Sequence, residues 1–264
     1  LDRGDGLAQG EKMSAFGAYI IGDEILSGRR EDKHFAKLRE LLHARGLRLA
    51  WVHYLGDDPQ RLTEAFRRSL ASEDIVFSFG GIGATPDDHT RQCVAHALGV
   101  PLELHPEAEA LIRARFGERT TPQRLEMGRF PRGARIIPNP YNQIPGFSVA
   151  DHHFVPGFPV MAWPMVEWVL DTQYAHLFHR EDYVEDSVYV WDAHEGDLVD
   201  LMQALTVRYP EGTLFSLPSV PEETGGRRRL ELGFKGPRAV VEAAMRDIVA
   251  ALEARGLSWE RPRS

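Results

Sequence analysis

Between Ile75 and Asp88 the chain leaves little freedom of fold: Ile75-Val76-Phe77-Ser78-Phe79 runs straight into Gly80-Gly81-Ile82-Gly83-Ala84-Thr85-Pro86-Asp87-Asp88. A short, almost uninterrupted apolar run suits a strand covered on both faces. Three glycines within four residues then let backbone N–H groups turn toward a bound anion with no Cβ in the way. The helical pattern from Asp88 to Leu98 adds the positive end of a helix, which favours a phosphate or pyrophosphate. No Lys-Ser or Lys-Thr pair follows, so this is not a Walker loop. The glycine spacing also differs from that of a dinucleotide fingerprint.

Strand-like and helix-like patterns alternate on both sides of that junction. Ala15–Ile21, Leu47–Leu55 and Ile75–Phe79 read as strands. Lys33–Arg45, Pro59–Ala71, Asp88–Leu98 and Glu107–Phe116 carry apolar residues at helical spacing. Prolines become frequent between Pro122 and Pro145, around the extended piece Arg135-Ile136-Ile137. Phe147–Phe154 suggests a strand or hairpin arm, and Met165–Leu177 a closing helix. Repeated strand–helix units predict an α/β domain, a three-layer mostly parallel sheet, over residues 13 to 178. A charged stretch, His179 to Asp182, marks the boundary. Strand Tyr183–Trp191, helix Gly196–Tyr209, extended pieces Thr213–Leu217 and Arg228–Phe234, and helix Pro237–Arg255 then predict a second, smaller α+β domain over residues 183 to 260. Residues 1 to 12, polar and glycine-containing ahead of Met13, are expected to be a mobile extension.

Charge and cysteine content narrow the partners. The 264 residues hold 31 Lys and Arg against 39 Asp and Glu, a formal charge of −8, which argues against nucleic acid and against a membrane surface. No apolar run nears the ~18 residues of a membrane span, and the N-terminus lacks a signal-peptide core, so a cytoplasmic protein is expected. Cys93 is the single cysteine and reads as a small buried hydrophobe.

Two carboxylates, Asp87 and Asp88, stand where the glycine loop meets the helix. One reading makes them N-caps that accept backbone N–H bonds. The other starts from the repulsion two carboxylates exert on a phosphate, and gives them a bridging divalent metal or a general-base role. Thr85 and Thr90 offer hydroxyls, and Arg91, one turn along, a guanidinium for a ligand phosphate. Gly22-Asp23-Glu24-Ile25-Leu26-Ser27-Gly28 forms a second loop after the first strand. In a doubly wound sheet such loops converge at the carboxyl edge. His152 and His153 are adjacent on a strand, point to opposite faces and cannot easily share one ion. Trp163 and Trp168 read as packing residues, and Arg227-Arg228-Arg229 as a solvated hairpin tip.

Taken in order, Gly22-Asp23-Glu24-Ile25-Leu26, Leu55-Gly56-Asp57-Asp58, Gly80 through Thr90, Pro138-Asn139-Pro140, Pro145-Gly146-Phe147 and Val155-Pro156-Gly157-Phe158-Pro159 resemble the molybdopterin-binding domain family. Within it they are similar to the branch at the N-terminus of competence/damage-inducible protein A. The C-terminal segment resembles the small domain that follows in that branch, and the amidohydrolase domain of longer members is expected to be absent. The resemblance implies a small-molecule, nucleotide-like ligand, a pterin or adenine joined to phosphate. It also implies metal-dependent cleavage of a pyrophosphate, as in ADP-ribose or FAD, or else a non-catalytic carrier or sensor of molybdopterin or a nucleotide. It gives the catalytic roles to Asp88 and Asp57. Together with the residue types, it gives ligand contacts to Gly22, Asp23, Glu24, Gly80, Gly81, Gly83, Thr85, Asp87, Thr90, Arg91, Asn139, Pro156 and Gly157. A Mg²⁺ or other divalent ion is expected on Asp57, Asp87 and Asp88, and a homo-oligomer is expected. Two segments depart from the family pattern: Glu31-Asp32-Lys33-His34 stands for Asp-Thr-Asn, and Pro156-Gly157-Phe158-Pro159-Val160-Met161 replaces Pro-Gly-Pro-Pro-Ser-Glu-Met.

Overall fold

The computed structural model describes residues 15–180, 182–220 and 224–262; the expected mobile extension, residues 1 to 12, lies outside them. The chain divides into two compact units, one ending at Phe178 and the other starting at His179.

The first unit is built around β1 (Phe16–Ile21), all six residues of which are buried. There follow α1 (Asp23–Leu26), α2 (His34–His43), β2 (Leu49–Leu55), α3 (Pro59–Leu70), β3 (Ile75–Phe79) and α4 (Thr90–Leu98). Next come β4 (Leu102–Leu104), α5 (Pro106–Phe116), α6 (Pro122–Glu126), β5 (Arg129–Pro131), β6 (Arg135–Ile137), β7 (Gly146–Val149), β8 (His152–Val155) and α7 (Pro159–Gln173). The main sheet has six strands in the order β2-β1-β3-β8-β7-β6. Pairing is parallel from β2 through β8, and β7 runs antiparallel to both of its neighbours. β4 and β5 form a separate antiparallel pair.

Alternate side chains of each strand enter different layers, as the two-residue period of a strand requires. Ala18, Ile20, Phe77 and Phe79 pack with Leu38, Leu41 and Leu42 of α2 and with Met165, Val166 and Val169 of α7. Tyr19, Ile21 and Val76 pack on the other face with Leu62 and Phe66 of α3, Val94 of α4 and the stacked rings of Phe130, Phe147 and Phe154. The result is helix, sheet, helix: the three-layer, mostly parallel arrangement.

Three boundaries differ from those the sequence suggests. Phe147–Phe154 spans two strands, β7 and β8, joined through Ala150, whose φ is 48°. The closing helix begins at Pro159, ahead of Met165, and runs through Pro164. The helix after the glycine loop starts at Thr90 rather than Asp88.

The second unit contains β9 (Tyr183–Trp191), α8 (Val199–Arg208), β10 (Thr213–Ser219), β11 (Arg229–Pro237), α9 (Arg238–Ala254) and β12 (Trp259–Glu260). Its antiparallel sheet has the order β10-β11-β9-β12. Val188, Val190, Leu230, Leu232 and Phe234 pack with Leu201 and Leu205 of α8 and Met245, Ile248 and Leu252 of α9. Among the described residues, no helix is long and apolar enough to cross a membrane.

Candidate functional site

Because β2, β1, β3 and β8 are parallel, their carboxyl ends share one edge. The register pairs Ile21 with Leu55, Ile20 with Phe79, and Phe79 with Val155, so the loops leave the edge at one level. Gly22 N–H donates to the Leu55 carbonyl at 3.0 Å and Gly80 N–H to the Val155 carbonyl at 3.0 Å, which ties each loop to its neighbour. The chain leaves β1 toward β2 on one side and comes back as β3 on the other. That reversal opens the crevice in which ligands of open α/β sheets bind.

A cavity of about 430 Å³ fills that crevice. Of the residues singled out in the sequence, Gly22, Glu24, Asp57, Gly80, Gly81, Gly83, Thr85, Asp87, Asp88, Asn139, Pro156 and Gly157 line it. Asp23, Thr90 and Arg91 do not.

The glycine loop needs its glycines. Gly80 has φ 101°, and a Cβ there would meet the Ile21 carbonyl oxygen at 2.5 Å. Gly81 has φ 68°, and its Cβ would lie 2.3 Å from Thr90 Oγ1. Thr90 is fully buried, donating from Oγ1 to the Gly80 carbonyl at 3.1 Å and from its amide to the Gly81 carbonyl at 3.0 Å. It therefore holds the loop from beneath, where its residue type had suggested a hydroxyl for the ligand. Asp88 closes the other side, its Oδ2 accepting from Thr85 N at 2.8 Å and Thr85 Oγ1 at 2.5 Å. Asp88 is thus a loop brace and no helix cap; the cap position is His89, whose side chain makes no capping bond.

Arg91 is the clearest correction. It is 2% exposed, and its guanidinium donates to the backbone carbonyls of Gly83, Glu126 and Arg129. Those bonds solvate a buried cation locally and keep it out of the cavity lining. Through the Gly83 carbonyl it supports the floor of the glycine loop.

The acidic residues gather on the β1 and β2 side. Asp23 and Asp57 exchange hydrogen bonds: Asp23 N–H donates to Asp57 Oδ2 at 3.0 Å, and Asp57 N–H to Asp23 Oδ1 at 3.2 Å. Burial pushes the Asp57 carboxyl above its ordinary range, the nearby carboxylates of Asp23, Glu24 and Asp87 push it further, and the Asp23 amide works against both. Among the described residues, no three or more His, Cys, Asp or Glu side chains gather as a metal cluster. The divalent ion expected on Asp57, Asp87 and Asp88 therefore has no converging set of ligands among the described residues: Asp88 Oδ2 is turned to Thr85 and Asp57 Oδ2 to the Asp23 amide.

Arg30, Phe158, Asn142 and His34 enter the site without a ligand role having been legible for them in the sequence. Arg30 lines the cavity wall, its guanidinium 5.6 Å over the ring of Phe158, which is 53% exposed. Asn142 lines the wall beside Asn139. His34 is buried, stacked on Phe79 at 4.4 Å, and donates from Nε2 to the Gly157 carbonyl at 3.1 Å. Burial lowers its pKa, so it serves as a neutral brace. No sequence signal places Arg30. It stands on a loop and meets Phe158, far along the chain, only because both loops leave the same sheet edge.

Residues 17–176 match the family model described as a probable molybdopterin binding domain. The chain belongs to that family. Its relatives include a CinA-like protein from an Anaeromyxobacter species, 39% identical over 164 residues, which cover 59% of this chain and 40% of the relative. A protein from Caldivirga maquilingensis is 29% identical over 252 residues, covering 88% of this chain and 95% of its own length. The crystal structure of a CinA protein of unknown function from Thermoplasma acidophilum is 30% identical with a TM-score of 0.55, and the match covers 60% of this chain and 98% of that one. These likenesses put the chain in the CinA-like branch of the molybdopterin-binding family. The chain spans about two fifths of the length of the CinA-like relative from Anaeromyxobacter.

Proposed function

We propose that this chain binds a small phosphorylated molecule, a pterin- or adenine-nucleotide-like ligand, with a phosphate against the backbone amides of Gly81 to Gly83, beyond the Gly80 amide that is tied to Val155. The observation that carries this reading is the loop itself: two consecutive glycines with positive φ, at the carboxyl edge of a parallel sheet, on the wall of a cavity of about 430 Å³. Such a turn presents N–H groups to an anion without a side chain in the way. Asn139 and Asn142 line the wall and are held by bonds to Tyr141, Ile144 and Met161, which leaves each amide one further N–H for a ring, and Phe158 and Met161 offer apolar surface.

Thermal unfolding with AMP, ADP-ribose, FAD and molybdopterin tests this. A ligand at about ten times its dissociation constant adds about 1.4 kcal/mol of stability. Such a shift is expected in the wild type and its loss in Gly81→Ala; no shift with any of the four refutes the reading. Cleavage of a ligand pyrophosphate is the catalytic extension of the same site. Asp57, with its carboxyl pushed toward the protonated form, is the group suited to hold a proton at the cavity wall. AMP released from ADP-ribose, with or without Mg²⁺, and lost in Asp57→Asn supports catalysis. Binding without AMP release assigns the chain to a carrier or sensor role.

A further inference from the structure

A second cleft of about 630 Å³ adjoins the cavity at the sheet edge. Ala84, Thr85 and Met127 line both. The second cleft adds Arg119, Thr121, Gln123 and Arg124.

The two spaces differ in charge. Glu24, Asp57, Asp87 and Asp88 line the first, with Arg30 as the one cation among its described lining residues. The described lining of the second holds two arginines and no carboxylate. Arg124 is fixed: its guanidinium donates to the Arg119 carbonyl and lies 4.3 Å over the Phe116 ring. Neither contact neutralises its charge. Arg119 is exposed, so its long side chain can turn toward a ligand. A molecule with several negative groups, entering along the glycine loop, is repelled by the acidic wall and drawn past Thr85 toward this basic one.

We propose that the cleft beside Thr85 is a second anion subsite, in which Arg119 takes a further anionic group of a ligand whose first phosphate lies on the glycine loop. This subsite rests on the binding role proposed for that loop. It orders the ligand along the groove, with its ring toward Asn139 and Asn142 and its additional charge toward Arg119. Arg119 thereby selects ligands by charge, separately from the loop that retains the first phosphate.

Isothermal titration of the full chain with AMP and with ADP tests the subsite. The second phosphate of ADP is expected to tighten binding about tenfold, the worth of one charge-assisted hydrogen bond. Arg119→Glu removes that gain, so that ADP binds no tighter than AMP, whereas Arg115→Glu, an exposed arginine of α5 lining neither space, leaves the gain intact. Equal affinities for AMP and ADP in the wild type, or a gain that survives Arg119→Glu, overturn the subsite and leave the glycine-loop role intact. Binding of neither nucleotide overturns the subsite, and the glycine-loop role falls with it only if ADP-ribose, FAD and molybdopterin also leave the melting temperature unmoved.

Discussion

Gly81 concentrates the physical demands of the loop, because a side chain there is opposed by φ 68° and by Thr90 Oγ1 at once. Gly81→Ala is expected to cost about 1–3 kcal/mol in chemical denaturation, the usual range for a strained backbone position. Asp88→Ala leaves Thr85 N–H without its acceptor and is expected to cost about 1 kcal/mol, while Asp88→Asn keeps an acceptor and most of that stability. The buried histidines make a separate prediction. Burial lowers His152 from 6.5 to about 4 and His153 from 6.5 to about 3. His152 Nε2 meets Ser69 Oγ at 2.8 Å, and His153 bridges Ser148 and Tyr174. Both are neutral in the folded state, whereas the unfolded chain takes up protons below about 6.5, so their contribution is complete above that pH and falls as the pH drops toward 4. Melting temperature followed from about pH 7 to about pH 5 should decline, and less steeply in a His152→Gln variant. The loop glycines are legible as ligand-side candidates because their residue type suits a turn around an anion, whereas Asp57 and the Pro156-Gly157 pair are legible only through the resemblance to the family. Arg91 is not, because a charged residue next to a phosphate cradle gives no sign in sequence that its partners are carbonyls beneath the loop.

Among the elements, α3 illustrates what periodicity conveys. Leu62 and Phe66 are fully buried on its inner face, as their four-residue spacing requires. Phe66→Ala is expected to cost about 3–5 kcal/mol, measured by denaturant unfolding. Elements whose bounds differ from the sequence pattern do so for identifiable reasons. Pro164 looks like a helix boundary, yet α7 carries it within the helix while burying Ala162, Met165 and Val166. The turn between β7 and β8 has neither glycine nor proline; Ala150 itself takes the positive φ, and apolar residues on both sides conceal it. Asp87 and Asp88 resemble caps and so draw the expected start of α4 forward by two residues, whereas Asp88 is used within the loop.

For the molecule as a whole, alternation of strands and helices conveys the α/β class, and the chain divides into two units between Phe178 and His179. What the alternation does not convey is the mixed edge of the sheet, where β7 reverses direction. The described residues that line the candidate site all lie in the first unit. A fragment ending at Phe178 is therefore expected to bind the same ligand as the full chain, with an affinity equal within about threefold by titration. Whether the glycine loop is where a phosphate rests can be read from amide NMR of the ¹⁵N-labelled chain during titration with AMP. Saturable shifts of the Gly81, Gly83 and Thr85 amides, accompanied by Asn139, are predicted. Saturable shifts confined to other surfaces, with those amides unmoved, would contradict the binding role.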